Sequence, residues 1–435
     1  MTLSMWLALG ILVVMIALIM FDVLPFGAPP ILACLLVVLL GLGSVQEAFA
    51  GLTNNSVVMI AGFMVVMAAI QKTSLMDKVR VAITNLTQKG GYKSYALLII
   101  IAMAGAALVG GGNTGYYVLI LSLIATLPYT KAMPTSKLMM PMGFATNHPL
   151  VPFNVALYYG VAVSLLESAG WTEGVSMVKF AVVNFFLSMG FLLWALLGYK
   201  FLPDHPIADA TEEDAERANS DLTSMPKWQE YVTYAMFLIA VVGMLLVNQL
   251  PDAIANLPYI IPGLCGAVLL FCNVLTFKEC RDNMFAPVLL MMAGVIGVAD
   301  ALSNTGFSAL IGEKMANLLQ GGNHESTLFA FMIVFVFALL TSTFATFTGS
   351  NMGSVYVFAP IAIATCMAMG VSPIAAAAAV TCAGWQGGYM PIDGLPALIM
   401  GMGKYKLTEF WKFTVPMYFI RLIFLCVGAV IVFPM

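Results

Sequence analysis

Gly110-Gly111-Gly112-Asn113-Thr114 interrupts the apolar run 94–129, and 238 positions later Thr348-Gly349-Ser350-Asn351 interrupts a second apolar run, 326–370. A small polar tip between two apolar arms predicts a helical hairpin, since glycine and asparagine supply the turn and the arms demand an apolar surrounding. Each arm of the first hairpin, 94–109 and 114–129, has 16 residues. That is about 24 Å of helix, short of a ~30 Å hydrocarbon core, so the hairpin enters and returns rather than crosses. The second is expected to do the same from the opposite side. Around the tips, the 435-residue chain is 61% apolar and only 9% charged. No water-soluble fold hides so much apolar surface, which excludes a soluble enzyme, a secreted scaffold and a nucleic-acid-binding domain.

After each hairpin comes a 31-residue stretch with its own interruption. Residues 136–166 are broken by Thr146-Asn147-His148-Pro149 and Pro152, and residues 372–402 by Gly384-Trp385-Gln386-Gly387-Gly388 and Pro391. Each reads as a single transmembrane helix unwound at its centre. Ordinary spans are predicted at 5–21, 29–42, 57–70, 177–197, 231–247, 257–275, 287–302 and 411–433, the first retained rather than cleaved as a signal peptide. Segments 72–89 and 306–319 read as amphipathic connectors at the interface. The seven cysteines are scattered, without a Cys-x-x-Cys pair, and read as small apolar fillers.

The acidic segment 201–230, with Asp204, Asp209, Glu212, Glu213, Asp214, Glu216 and Asp221, is too charged to enter lipid and divides the chain into halves 1–200 and 231–435. The halves correspond: Ala61-Gly62 and Thr73 match Ala293-Gly294 and Thr305 at a spacing of 232, Asn113 matches Asn351, and both breaks follow an alanine, Ala145 and Ala383. If the hairpins return and the broken helices cross once, 15 of the 18 basic residues fall in loops on one face, leaving Lys179, Lys314 and Arg421. The positive-inside rule makes that face cytoplasmic and puts both termini outside. Each half then crosses five times, an odd number, so the expected fold is an all-α polytopic membrane protein with an inverted-topology repeat.

Backbone freed at mid-membrane must face protein or a wet cavity, so four interruptions at equivalent positions point to one polar site between the halves. Helix N-termini offer N–H groups and about half a positive charge, while C-termini offer carbonyl oxygens, so the site suits an anion together with cations. Candidate substrate contacts are Asn113, Thr114, Asn147, Ser350, Asn351 and Pro391. Candidate cation contacts are Gly110, Gly112, Asn113, Thr146, Thr348, Asn351, Gly384 and Gly387. Oxygen donors without thiolates favour Na⁺ over a transition metal. The plainer explanations are helix capping by the asparagines, tight turns at the glycines and back-bonding hydroxyls. Asp393 and His148 are candidates for proton coupling, against a helix cap and a merely hydrogen-bonded imidazole. For Arg421, deep in the last span, a structural ion pair with Asp300 is expected ahead of substrate contact.

Gly112-Asn113-Thr114, Ser136-Lys137-Leu138-Met139-Met140-Pro141 and, in the second half, Ser350-Asn351, Val371-Ser372-Pro373 and Gly403-Lys404-Tyr405-Lys406 resemble the divalent anion:sodium symporter family, citrate-transporter-like members of the ion transporter superfamily. The resemblance spans essentially the whole chain as architecture. It implies Ser-Asn-Thr tips that touch substrate carboxylate and help bind Na⁺, and homodimers that move a transport domain by an elevator motion. Gly112 and Met352 depart from those tips. The expected function is secondary active, Na⁺-coupled symport of a di- or tricarboxylate such as succinate, malate or citrate across the plasma membrane. The alternative is a cation/proton antiporter or an exporter of another anion. No hydrolase or metalloprotease motif and no phosphate-binding loop is present, so neither an enzyme nor a cofactor is expected beyond the coupling ion, Na⁺ or H⁺.

Overall fold

The expected spans form helices within a few residues of their predicted ends, because apolar runs bounded by glycine, proline and capping residues leave little freedom over where a helix stops. In the computed structural model the described residues are 1–20, 24–25, 27–110, 113–127, 131, 133–151, 155–207, 225–247, 250–307, 310, 313–314, 327–348, 351–391 and 394–435. The first half contains α1 (Leu3–Met20), α2 (Ala28–Leu39), α3 (Val45–Ala48), α4 (Asn55–Ile70), α5 (Leu75–Lys89), α6 (Gly91–Val109), α7 (Thr114–Ala125), α8 (Thr135–Ala145), α9 (Ala156–Ser168) and α10 (Met177–Leu197). The second contains α11 (Lys227–Leu245), α12 (Leu257–Phe271), α13 (Phe277–Met284), α14 (Pro287–Asn304), α15 (Thr327–Thr348), α16 (Asn351–Ala368), α17 (Ile374–Ala383), α18 (Gly394–Met402) and α19 (Leu407–Val432). The connector 72–89 is the helix α5; most of 306–319 and of the acidic linker lies outside the described residues.

The hairpin arms differ from the equal pair expected. In the first, α6 has 19 residues and α7 only 12, because the chain leaves the helix at Thr126, whose hydroxyl turns back to the Leu123 carbonyl. In the second, α15 and α16 have 22 and 18. Both interrupted helices are broken as predicted: α8 and α9 flank one break, α17 and α18 the other. At 9 to 13 residues, these four segments reach about half way across a ~30 Å core and cross only as pairs.

Packing between the halves is reciprocal. α4 lies along α12 of the other half, and its counterpart α14 lies along α2. The matched glycines explain why. A Cβ on Gly62 would fall 2.8 Å from the Pro262 carbonyl carbon, and one on Gly294 would fall 2.8 Å from that of Pro30. Pro30 and Pro262 are themselves 232 apart. One turn further along, glycine again sits at the contact, on alternate sides: Gly266 meets Val65 in one crossing, Gly297 meets Cys34 in the other. The capping boxes before α3 and α13, Ser44 with Glu47 and Thr276 with Glu279, share the same spacing. After the hairpins the spacing becomes 238, with Gly190 of α10 against Phe424 and Gly428 of α19 against Phe186.

Contacts between loops tie several of the basic segments to their neighbours. Lys72 pairs with Glu279 at 2.6 Å, Lys137 with Asp204 at 3.4 Å, the Ser74 N–H donates to Glu230, and the Tyr405 hydroxyl donates to the Ser136 carbonyl. At the opposite end Asn54 donates to Glu167 and Asp300 is bonded to Ser168. Lys72 and the Thr276 N–H hold the Glu279 carboxyl down at about 2. Because the folded pKa lies below the ordinary 4.5, the stability it brings is present above that pH and is lost only as pH falls towards 2. With both side chains 37–40% exposed, Glu279→Gln is expected to cost under about 1 kcal/mol at pH 7, read as a small shift in thermal unfolding in detergent.

Candidate functional site

The two breaks touch each other through equivalent positions. The Asn147 side-chain amide donates to the Trp385 carbonyl at 3.2 Å, and His148 Nε2 lies 3.1 Å from Gln386 Oε1; both pairs are separated by 238 positions. A two-fold relation that passes between the breaks produces such self-matching. Each half-helix stops there for a local reason: α8 ends where Thr146 and His148 turn back to the Gly143 and Ala145 carbonyls, and α17 where Gly384 must lie against α16. A Cβ on Gly384 would sit 2.3 Å from a Val355 methyl.

Into this junction α19 inserts Arg421, 1% exposed. Its Nη2 donates to the Gln386 carbonyl at 2.5 Å and to the Gly387 carbonyl, and its Nη1 lies 3.2 Å from His148 Nε2. His148 is fully buried, stacks on Phe191 with ring centroids 4.2 Å apart, and bonds through Nδ1 to the Phe144 carbonyl at 2.7 Å. A carbonyl only accepts, so Nδ1 carries the proton and Nε2 presents a lone pair to the guanidinium. A proton on Nε2 would instead point at a positive charge. The Gln386 amide then turns its NH₂ towards the ring, an orientation assigned from this network. His148→Ala is expected to destabilise the fold by about 1–3 kcal/mol, since it leaves one guanidinium N–H without its acceptor and empties the space stacked on Phe191, while the Phe144 carbonyl keeps the Asn147 N–H; thermal unfolding of the purified variant measures it.

Beside Arg421 lies a cavity of about 230 Å³ lined by Thr114, Tyr117, Phe144, Asn147, Ala345, Thr346, Asn351, Trp385, Gly387, Gly388, Leu395, Pro396 and Arg421. Thr114 and Asn351 are the first residues of α7 and α16, so two helix N-termini face the same space as the guanidinium. Three positive ends therefore converge. Of Arg421's five N–H donors three are used as described, Nε has no partner among the described residues, and no carboxylate there pairs with the side chain. Asn147 Oδ1 likewise has no described partner. With no counter-charge among the described residues, the arrangement can take a small anion that would compensate the guanidinium.

Four of the sequence candidates thus meet at one cavity: Thr114, Asn147, Asn351 and Gly387. Others serve their own helices. Asn113 caps α7, its oxygen accepting from Tyr116 N at 2.9 Å; Gly110 ends α6 at φ +96°; the Thr146 and Thr348 hydroxyls donate back to Gly143 and Phe344. Pro391 is half-buried and outside the cavity lining, while Gly384 packs on α16. Gly112, Ser350 and Asp393 lie outside the described residues. The expected Arg421–Asp300 ion pair is not formed: Asp300 sits at the end marked by Ser168, and Arg421 turns to the breaks instead. An arginine far inside an apolar span was itself the signal for a functional residue.

Helices interrupted at mid-bundle around a charged cavity define a polytopic secondary transporter, not an enzyme. The chain belongs to the citrate transporter family, whose model matches residues 16–383. Over 192 residues it is 26% identical to the uncharacterized transporter YfbS of Escherichia coli strain K12, covering 42% of this chain but only 28% of that protein. Its fold is similar to the YdaH transporter of Alcanivorax borkumensis, with 17% identity, a TM-score of 0.60, and coverage of 91% of this chain and 88% of the other. It is also similar to MtrF of Neisseria gonorrhoeae, from a class of antimetabolite efflux pumps, with 15% identity, a TM-score of 0.61, and coverage of 90% and 84%. At these identities the likeness concerns architecture.

Proposed function

We propose that the chain carries a small di- or tricarboxylate, of the succinate, malate or citrate kind, in symport with a cation, Na⁺ in the first instance. The observation that carries this reading is the Arg421 guanidinium set with the N-termini of α7 and α16 around one cavity. A carboxylate docked there would use the free guanidinium donors and the Asn351 and Thr114 polar groups, while Trp385, Phe144 and Tyr117 exclude water. Family membership supports a carboxylate over other anions, and the basic loops support a cytoplasmic assignment of their face in the plasma membrane, with both termini outside. A homodimer with an elevator motion follows from the resemblance. The test is uptake of labelled succinate, malate and citrate into proteoliposomes under a Na⁺ gradient, a proton gradient or neither. Accumulation driven by the Na⁺ gradient is expected. Failure of all three substrates discards the carboxylate, uptake indifferent to Na⁺ discards Na⁺ coupling, and accumulation only against outward gradients makes the protein an exporter.

A further inference from the structure

In interrupted-helix transporters, carbonyl oxygens at the C-terminal end of a half-helix are where a coupling cation is held, because the dipole leaves them partly negative. Here the carbonyls of Gln386 and Gly387, just past the end of α17, are already taken by one positive group, the Arg421 guanidinium. The same group reaches the other break through His148, which is anchored to the Phe144 carbonyl near the end of α8. The position equivalent to Arg421 in the first half, 238 residues earlier, is Val183, which carries no charge. The two halves therefore match in backbone but not in resident charge.

We infer that the Arg421 guanidinium is a built-in substitute for a coupling cation at the second break, so that coupling to a mobile cation runs through the first break alone. The inference deepens the transport reading above and rests on it for the word coupling; the occupancy of the second break does not depend on which anion is carried. A tethered charge cannot be released with substrate, so the second break contributes electrostatic attraction in every step of the cycle and contributes no ion flux. Cation stoichiometry at this pair of breaks is one at most. Removing the guanidinium should expose the Gln386 and Gly387 carbonyls and turn the second break into a site that takes up Na⁺ from solution.

The experiment needs no substrate. Thermal unfolding of the purified full-length protein is followed while Na⁺ replaces choline at constant ionic strength, for wild type, Arg421→Ala and Arg421→Gln. The alanine variant is expected to gain a Na⁺-dependent rise of its midpoint about 2–4 °C larger than that of wild type, as binding to the folded state alone dictates. In parallel, wild-type carboxylate uptake is expected to depend on Na⁺ with a Hill coefficient of about 1 or less. Variants that titrate like wild type, or a wild-type Hill coefficient near 2, overturn the inference. Should Arg421→Ala not survive purification, Arg421→Gln takes its place and the wild-type coefficient decides independently. A wild type that takes up no carboxylate sinks the proposed substrate, and the titration still judges the cation site.

Discussion

Arg421→Gln is expected to lower carboxylate uptake about 100-fold or more at ordinary Na⁺ concentrations while the protein still folds. A hundredfold is about 2.8 kcal/mol, within the range for losing a charged hydrogen-bond partner of a buried anion. Glutamine keeps polar reach towards the break but brings no charge, so the two helix N-termini alone face the carboxylate. Arg421→Lys should fall between, roughly tenfold down, because an ammonium keeps the charge but cannot hold two carbonyls and an imidazole in one plane. Uptake assays on variants matched for thermal stability make the comparison. Wild-type rates in Arg421→Gln would remove the side chain from the binding site and with it the main support for an anionic substrate.

The second large effect belongs to the scaffold. A Cβ on Gly297 would lie 1.9 Å from the Ala48 carbonyl oxygen and 2.7 Å from its carbon, both backbone atoms that no rotamer change can move. Gly297→Ala must push α14 away from α3 and α2 by more than an ångström, and it is expected to cost about 3 kcal/mol or more and most of the detergent-extractable folded protein. Gly263 supplies the control. It lies in the reciprocal crossing of α4 and α12, yet a Cβ there meets nothing within 4 Å, so Gly263→Ala should be neutral or slightly stabilising. Size-exclusion profiles and unfolding midpoints of the two variants test the contrast; equal behaviour would mean that the close crossing does not hold the halves together.

The matched Ala61-Gly62 and Ala293-Gly294 pairs first marked the repeat and prove to be the contact points of its two reciprocal crossings, because only glycine lets backbones approach so closely. The breaks were equally visible, since a polar run with proline cannot continue a helix wherever it lies. The side chains at those features were harder to read. Asn113 and Asn351 are equivalent in sequence, yet Asn113 turns its oxygen to its own Tyr116 N–H while Asn351 borders the cavity. Capping and ligand binding ask for the same residue at the same place. His148 reads from the sequence as a candidate for proton coupling or as a merely hydrogen-bonded imidazole; its partner Gln386 lies in the other half and is found by symmetry, not by any local pattern.

By itself the sequence determined the membrane setting, the repeat and the positions of the interruptions, because hydropathy, helix-breaking residues and loop charge act within a few residues of themselves. Only the tertiary structure decided that Arg421 faces the breaks instead of Asp300 and that it shares one cavity with the first residues of α7 and α16. Those outcomes depend on how α19 is rotated and how closely it approaches α10, which Gly190 and Gly428 set across 238 residues of chain. The direction of one guanidinium is a property of packing between distant helices, and no stretch of neighbouring residues records it.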